Sequence, residues 1–64
     1  MELLDEREVA EITGESTRTW ERRRASGDGP PYYRLGRSIR YDRNEVLEWV
    51  RQRRRRSTSE PEAA

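Results

Sequence analysis

The sequence predicts a small α+β domain built from two short helices, a two-stranded hairpin and a third helix. Three observations carry this. Asp5, Ser16 and Asp42 are capping residues that each open a segment with helical spacing of apolar side chains. Gly14 and the Gly/Pro-rich residues 26–31 interrupt those segments. Two short runs rich in aromatic and branched residues flank Gly36-Arg37. Sixty-four residues hold one domain, and a core of this size supplies about 3–5 kcal/mol before other supports are counted. Cysteine and histidine are both absent, so neither a disulfide nor the usual zinc ligands can staple the chain. Stability must come from caps, tight turns or a partner.

The first helix is expected after Asp5. Glu8 completes a capping-box spacing, and Leu4 and Val9 stand where a hydrophobic staple would close. Val9, Ala10 and Ile12 give it a short apolar face, and Gly14 supplies a left-handed stop, so the helix is about eight residues long. Ser16 caps a second helix from Thr17 to about Ala25, anchored by Trp20. Two short helices joined by a Gly-containing turn form a helix-turn-helix layout.

Residues 26–31 hold two Gly and two Pro in six positions, which ends the second helix and sets an extended exit. Residues 32–35 and 38–41 read as strands, with Gly36-Arg37 as the two-residue connection of a II′ turn. Alternation along the strands is expected to put Tyr33, Leu35, Ile39 and Tyr41 on one face and Arg34 and Arg40 on the other. Asp42 and Glu45 repeat the capping-box spacing, so a third helix starts at Arg43 and presents Val46, Trp49 and Val50. It is expected to continue into the Arg-rich residues 51–56. The fold expected is thus a winged helix-turn-helix over residues 1–56 with a core of Trp20, Leu35, Ile39, Tyr41, Val46 and Trp49, followed by a disordered polar tail over residues 57–64.

The net charge of +1 conceals a polarity along the chain. Residues 1–15 carry six acids against one Arg, whereas residues 16–56 carry thirteen Arg against five acids. A concentrated cationic segment is the footprint of a polyanion binder. All the basic residues are Arg and none is Lys, including on faces with no evident role, which reads as a coding bias rather than a mechanism. No apolar run approaches the roughly 18 residues of a spanning helix, and the acidic start lacks the layout of a secretory signal. A soluble, cytoplasmic protein is expected, with no membrane association.

The stretch from Glu8 to Gly14, then Ser16 and Thr19, then Gly29-Pro30-Pro31-Tyr32-Tyr33-Arg34-Leu35-Gly36-Arg37-Ser38-Ile39-Arg40-Tyr41, closing on Val46-Leu47-Glu48-Trp49-Val50, resembles the MerR-like winged helix-turn-helix family that includes phage excisionases and AlpA-type regulators. Two positions depart from its pattern. Glu15 stands where an apolar residue usually packs in the turn, suggesting an exposed turn, and Arg23 stands where a bulky apolar residue is common, suggesting thinner packing and a more basic helix. The resemblance implies that the second helix enters the major groove while the wing lies on flanking backbone or minor groove, the two projecting from a common side. It further implies a non-enzymatic bacteriophage excisionase, or recombination directionality factor, working in the host cytoplasm on the nucleoid. Several copies would bend attachment-site DNA and direct a tyrosine or serine integrase toward excision. AlpA-type relatives act at promoters, which makes transcriptional regulation the alternative.

Site candidates follow from position. Thr17 and Arg18 lie in the first turn of the second helix, from which bases are read, and Arg22 follows one turn later; Arg can grip guanine O6 and N7 together. Ser16, Thr19 and Arg23 complete the recognition-helix set. In the wing, Arg37 and Ser38 sit at the tip, with Arg34 and Arg40 behind them. Arg53 and Arg54 are expected to clamp the phosphate backbone. The plain alternatives are a solvated charged face for the second helix, ordinary turn chemistry for the wing tip, and a disordered basic arm or a patch for RNA or an anionic membrane for the Arg-rich block; the second helix's placement between a capped turn and a wing, and the block's continuity with the third helix, favour DNA. No metal-ligand set, activated nucleophile or phosphate-cradling loop ending in Lys is present, so neither catalysis nor a cofactor is expected. The acidic first segment and basic middle suggest head-to-tail self-association of adjacent copies on duplex DNA.

Overall fold

Residues 1–56 are described by a computed structural model, and the expected tail at 57–64 lies outside them. In chain order the elements are β1 (Leu3–Leu4), α1 (Glu6–Thr13), α2 (Thr17–Ser26), β2 (Tyr33–Leu35), β3 (Ser38–Asp42) and α3 (Arg43–Arg51). The expected winged helix-turn-helix is present, with one strand more than its hairpin required.

Each helix begins where a side chain can satisfy amides that the helix itself leaves unpaired. At α1 the Asp5 carboxylate accepts from the Glu8 amide at 2.8 Å, and Glu8 Oε1 accepts from the Asp5 amide at 3.0 Å, the full reciprocal box. Ser16 Oγ accepts from the Thr19 amide at 3.1 Å to start α2. At α3 Asp42 accepts from the Asn44 amide at 3.3 Å, so the box expected with Glu45 is a single cap. Gly14 ends α1 at φ 71° and its amide reaches back to the Ala10 and Glu11 carbonyls, a left-handed closure that a side chain would strain.

The additional strand is β1. The sheet is antiparallel in the order β1-β3-β2, with Leu3 opposite Asp42 and Leu4 opposite Tyr41. Two residues are too few to show an alternating pattern, so the sequence read them only as the entry to α1.

The hairpin register corrects the expected faces. Tyr33 pairs with Arg40, Arg34 with Ile39, and Leu35 with Ser38. Directly opposed residues point to the same side of a sheet. Across a two-residue turn their numbers have opposite parity, so an alternation read straight through the turn inverts one strand. Arg34, Ile39 and Tyr41 therefore share the core face with Leu4, while Leu3, Tyr33, Leu35 and Arg40 share the outer face. Leu35, expected in the core, is 52% exposed. The turn itself follows expectation: Gly36 has φ 65° and Arg37 does not have a positive φ, matching the demand of a II′ turn at its first central position.

The core consists of Leu4, Val9, Ala10, Trp20, Tyr41 and Val46, with Ile39 and Trp49 packed against it. Trp20 stands at its centre. Its ring meets Tyr41 edge-on at 5.8 Å and Trp49 at 5.3 Å, and its indole N–H donates to Thr13 Oγ1 at 3.0 Å. The Thr13 hydroxyl in turn donates to the Val9 carbonyl at 2.9 Å, so the buried indole nitrogen is satisfied by α1.

The third helix stops at Arg51 rather than running into the Arg-rich segment. Beyond it the Arg53 and Arg54 amides turn to carbonyls three residues back, those of Val50 and Arg51, at 3.0 and 3.1 Å. Like charges at helical spacing oppose continuation. The Arg53 guanidinium instead lies 3.7 Å from the Trp49 ring centre and donates to the Trp49 carbonyl at 2.9 Å, closing the helix end.

Candidate nucleic-acid interface

The four arginines of α2 fall into two pairs. Trp20 points into the core, and residues two places before or after it lie about 200° round the helix, on the outer side. Those residues are Arg18 and Arg22. Both are exposed, and neither makes an ion pair or a side-chain hydrogen bond among the described residues. Thr17 is half-buried at the first position of the same helix, and Thr19 bonds its hydroxyl to Ser16 Oγ at 2.9 Å. The helix thus presents two unpaired guanidinium groups one turn apart, at the end where its cap fixes the backbone.

Arg23 and Arg24 turn inward. Arg23 grips both oxygens of Glu15 through Nη1 and Nη2, the latter at 2.8 Å, and its guanidinium sits 5.0 Å from the Trp20 ring centre and 5.1 Å from that of Trp49. The bidentate bond holds the Glu15 carboxyl below the usual carboxylate range against the opposing effect of partial burial, and raises Arg23. The turn at Glu15 is exposed, as expected, but its side chain is anchored, and the packing at Arg23 is not thin: the two departures from the resembled pattern are each other's partners. Helix position alone predicts Arg23 among the recognition residues, but its guanidinium is committed within the chain.

Arg24 meets Glu6, with Nε 2.6 Å from Oε2. The same oxygen accepts from the Tyr41 hydroxyl at 2.9 Å. One carboxylate from α1 thus joins α2 to β3 at the root of the hairpin. The Glu6 bond raises Arg24; Tyr41 is raised first by burial and then by facing an anion. This cluster was not singled out from sequence, although a signal existed. Glu6 lies three residues before Val9, on the apolar face of its helix, and Arg24 lies four after Trp20.

In the wing, Arg37 occupies the turn beside Gly36, and Ser38 follows it; both are exposed. Arg34, also exposed, makes no side-chain hydrogen bond or ion pair among the described residues and is on the core-side face of the hairpin near its tip, whereas Arg40 is half-buried on the outer face and donates to the Ile39 carbonyl at 2.8 Å. The two do not form one cationic face. Of the expected backbone clamp, Arg53 is bound to Trp49 as described, and Arg54 is exposed with its side chain unengaged among the described residues.

The acidic end of the chain is largely committed as well. Glu6 and Glu15 are paired with Arg24 and Arg23, Asp5 and Glu8 cap α1, and Glu2 lies 3.8 Å from Arg43. After this pairing the exposed cations that lack a partner among the described residues include Arg18 and Arg22 on α2 and Arg34 and Arg37 on the wing. The sequence matches a helix-turn-helix domain over residues 3–54, the span running from β1 through the turn after α3.

The chain belongs to the helix-turn-helix domain family.

That family contains the small DNA-binding proteins of excisionase and AlpA type. No curated protein matches the sequence. In this helix-turn-helix protein α1 and α2 form the motif itself, α2 stands in the position of the recognition helix, and β2 with β3 forms the wing. Among the described residues no helix is long and apolar enough to cross a membrane.

Proposed function

We propose that this DNA-binding domain acts as an excisionase: it binds and bends attachment-site DNA so that an integrase of the tyrosine or serine class is directed toward prophage excision. The observation that carries the DNA part of the reading is the sorting of the α2 arginines. Two are tied to carboxylates of α1 and the turn, and the two that face outward have no partner among the described residues. Arg18 and Arg22 are the base-reading pair, with Thr17 beside them and Ser16 capping the helix close to a phosphate. Arg37, Ser38 and Arg34 reach the flanking groove or backbone from the wing, and Arg54 adds a phosphate contact. Thr19, Arg23 and Arg40 support this surface rather than reading DNA. This reading requires the helix and the wing tip to project to a common side, where one duplex can meet both. Bending is stabilised by the contacts that the wing gains once the duplex curves toward it.

The excisionase assignment is supported by membership of a family that holds such proteins. Adjacent copies are proposed to associate head to tail on the DNA. Because most of the acids before Ser16 are engaged within the chain, that contact draws on Glu11 and the outer side of Glu8 rather than on the whole acidic segment. The deciding experiment is an excision assay with the cognate integrase in the presence and absence of the protein. Stimulated excision is the expected result. Normal excision without it, combined with repression or activation at a promoter carrying its site, would replace this reading by AlpA-type transcriptional regulation.

A further inference from the structure

From the surface of α2 we infer that Glu21 is a base-reading residue that selects a cytosine in the major groove. The inference rests on the DNA-binding reading above. Glu21 is exposed, and it forms no ion pair and accepts no hydrogen bond among the described residues, although Arg18 stands three positions before it at a spacing that favours pairing. Four residues before it is Thr17, so Glu21 lies over the first helical residue, about 60° round the helix from Arg18. The outward strip of α2 is therefore cationic with one carboxylate set into its N-terminal half.

A carboxylate in that position has a defined physical consequence. Brought within a Debye length, about 8 Å at physiological salt, it is repelled by phosphates and weakens binding to any duplex alike. The repulsion is offset only where the carboxylate finds a hydrogen-bond donor, and the donors exposed in the major groove are the exocyclic amines of cytosine and adenine. Glu accepts well from cytosine N4, while the arginines beside it suit guanine O6 and N7. Arg18, Glu21 and Arg22 together thus fit neighbouring G·C and C·G pairs. In this arrangement Arg18 and Arg22 supply attraction to DNA in general, and Glu21 penalises every site that lacks a cytosine amine at its position.

The test is selection from a duplex pool with a randomised central segment, run in parallel on the parent, Glu21→Ala and Glu21→Gln proteins after thermal melts have established that all three fold alike. Expected for the parent is one C·G position discriminated about tenfold or more against other pairs. In Glu21→Ala that preference disappears, preferences elsewhere in the site persist, and affinity for unselected duplex rises several-fold. In Glu21→Gln the same position shifts toward adenine, to which Gln bonds bidentately. Identical preferences at every position in the parent and Glu21→Ala overturn the inference while leaving DNA binding intact. A parent protein that enriches nothing and shows no salt-dependent affinity overturns both.

Discussion

Glu15 and Arg23 close on each other across the turn between the first two helices, and the Arg23 guanidinium covers the rings of Trp20 and Trp49 as it does so. A position that commonly holds an apolar side chain here holds a cation, and the cost of placing it against the core is offset by a bidentate carboxylate on one side and two aromatic faces on the other.

Removing one member of this pair leaves the other half-buried and uncompensated. Arg23→Leu and Glu15→Val are each expected to lose about 1–2 kcal/mol in urea unfolding, whereas the double variant, which restores an apolar pair, is expected to fall within about 1 kcal/mol of the parent. A double-mutant cycle measures the difference. The pair also makes a pH prediction. Glu15 is held below its ordinary value of 4.5, so its stabilisation is present above that pH and lost as pH falls through the folded value. Between neutral pH and strong acid the parent should lose more stability than the double variant.

The Tyr41–Glu6–Arg24 cluster predicts the opposite dependence at the alkaline end. Tyr41 is raised above its ordinary 10.0 by burial and by the Glu6 carboxylate. The unfolded chain therefore releases that proton first, and stability that is full below pH 10 declines as pH rises through the folded value. Tyr41→Phe should cost about 1 kcal/mol at neutral pH and flatten the alkaline decline. Urea midpoints of the two proteins between neutral pH and pH 11 or so test it, following the unfolded tyrosine range.

Register makes the hairpin predictions unequal. Leu35→Thr, on the exposed outer face, is expected to change stability by less than about 0.5 kcal/mol. Ile39→Ala, on the core face, is expected to cost about 1–2 kcal/mol. Comparable losses from both substitutions would contradict the pairing of Leu35 with Ser38.

Binding should separate the two classes of arginine. Arg22→Ala is expected to lose about 1–3 kcal/mol on a selected site and to relax base preference there, while Arg54→Ala weakens all sequences alike and makes the salt slope shallower by about one. With about six phosphate contacts, the parent slope of log affinity against log salt should lie near −5. Arg23→Leu, judged by the same titrations, should retain base preference because its guanidinium is held by Glu15.

Much of the architecture could be read from local chemistry. A cap, a left-handed Gly and the spacing of Trp20 each act over a few residues, and such interactions are written in consecutive letters. The same holds for the family, whose longest signature runs through the wing. The candidate site was legible only in outline. That Arg18 and Arg22 lie opposite Trp20 follows from helical geometry, but that Arg23 and Arg24 are occupied does not, because their carboxylates are eight and eighteen residues away.

By itself the sequence determined where the three helices start and where the first two stop, where the chain reverses, and that its cations gather after Ser16. Tertiary structure alone decided which charges remain available, which face of the hairpin meets the core, and that Leu3 and Leu4 pair with β3. The division has one physical cause. Caps and turns are satisfied by near neighbours, whereas ion pairs and strand registers join atoms distant along the chain, whose meeting is fixed only when all the elements pack at once.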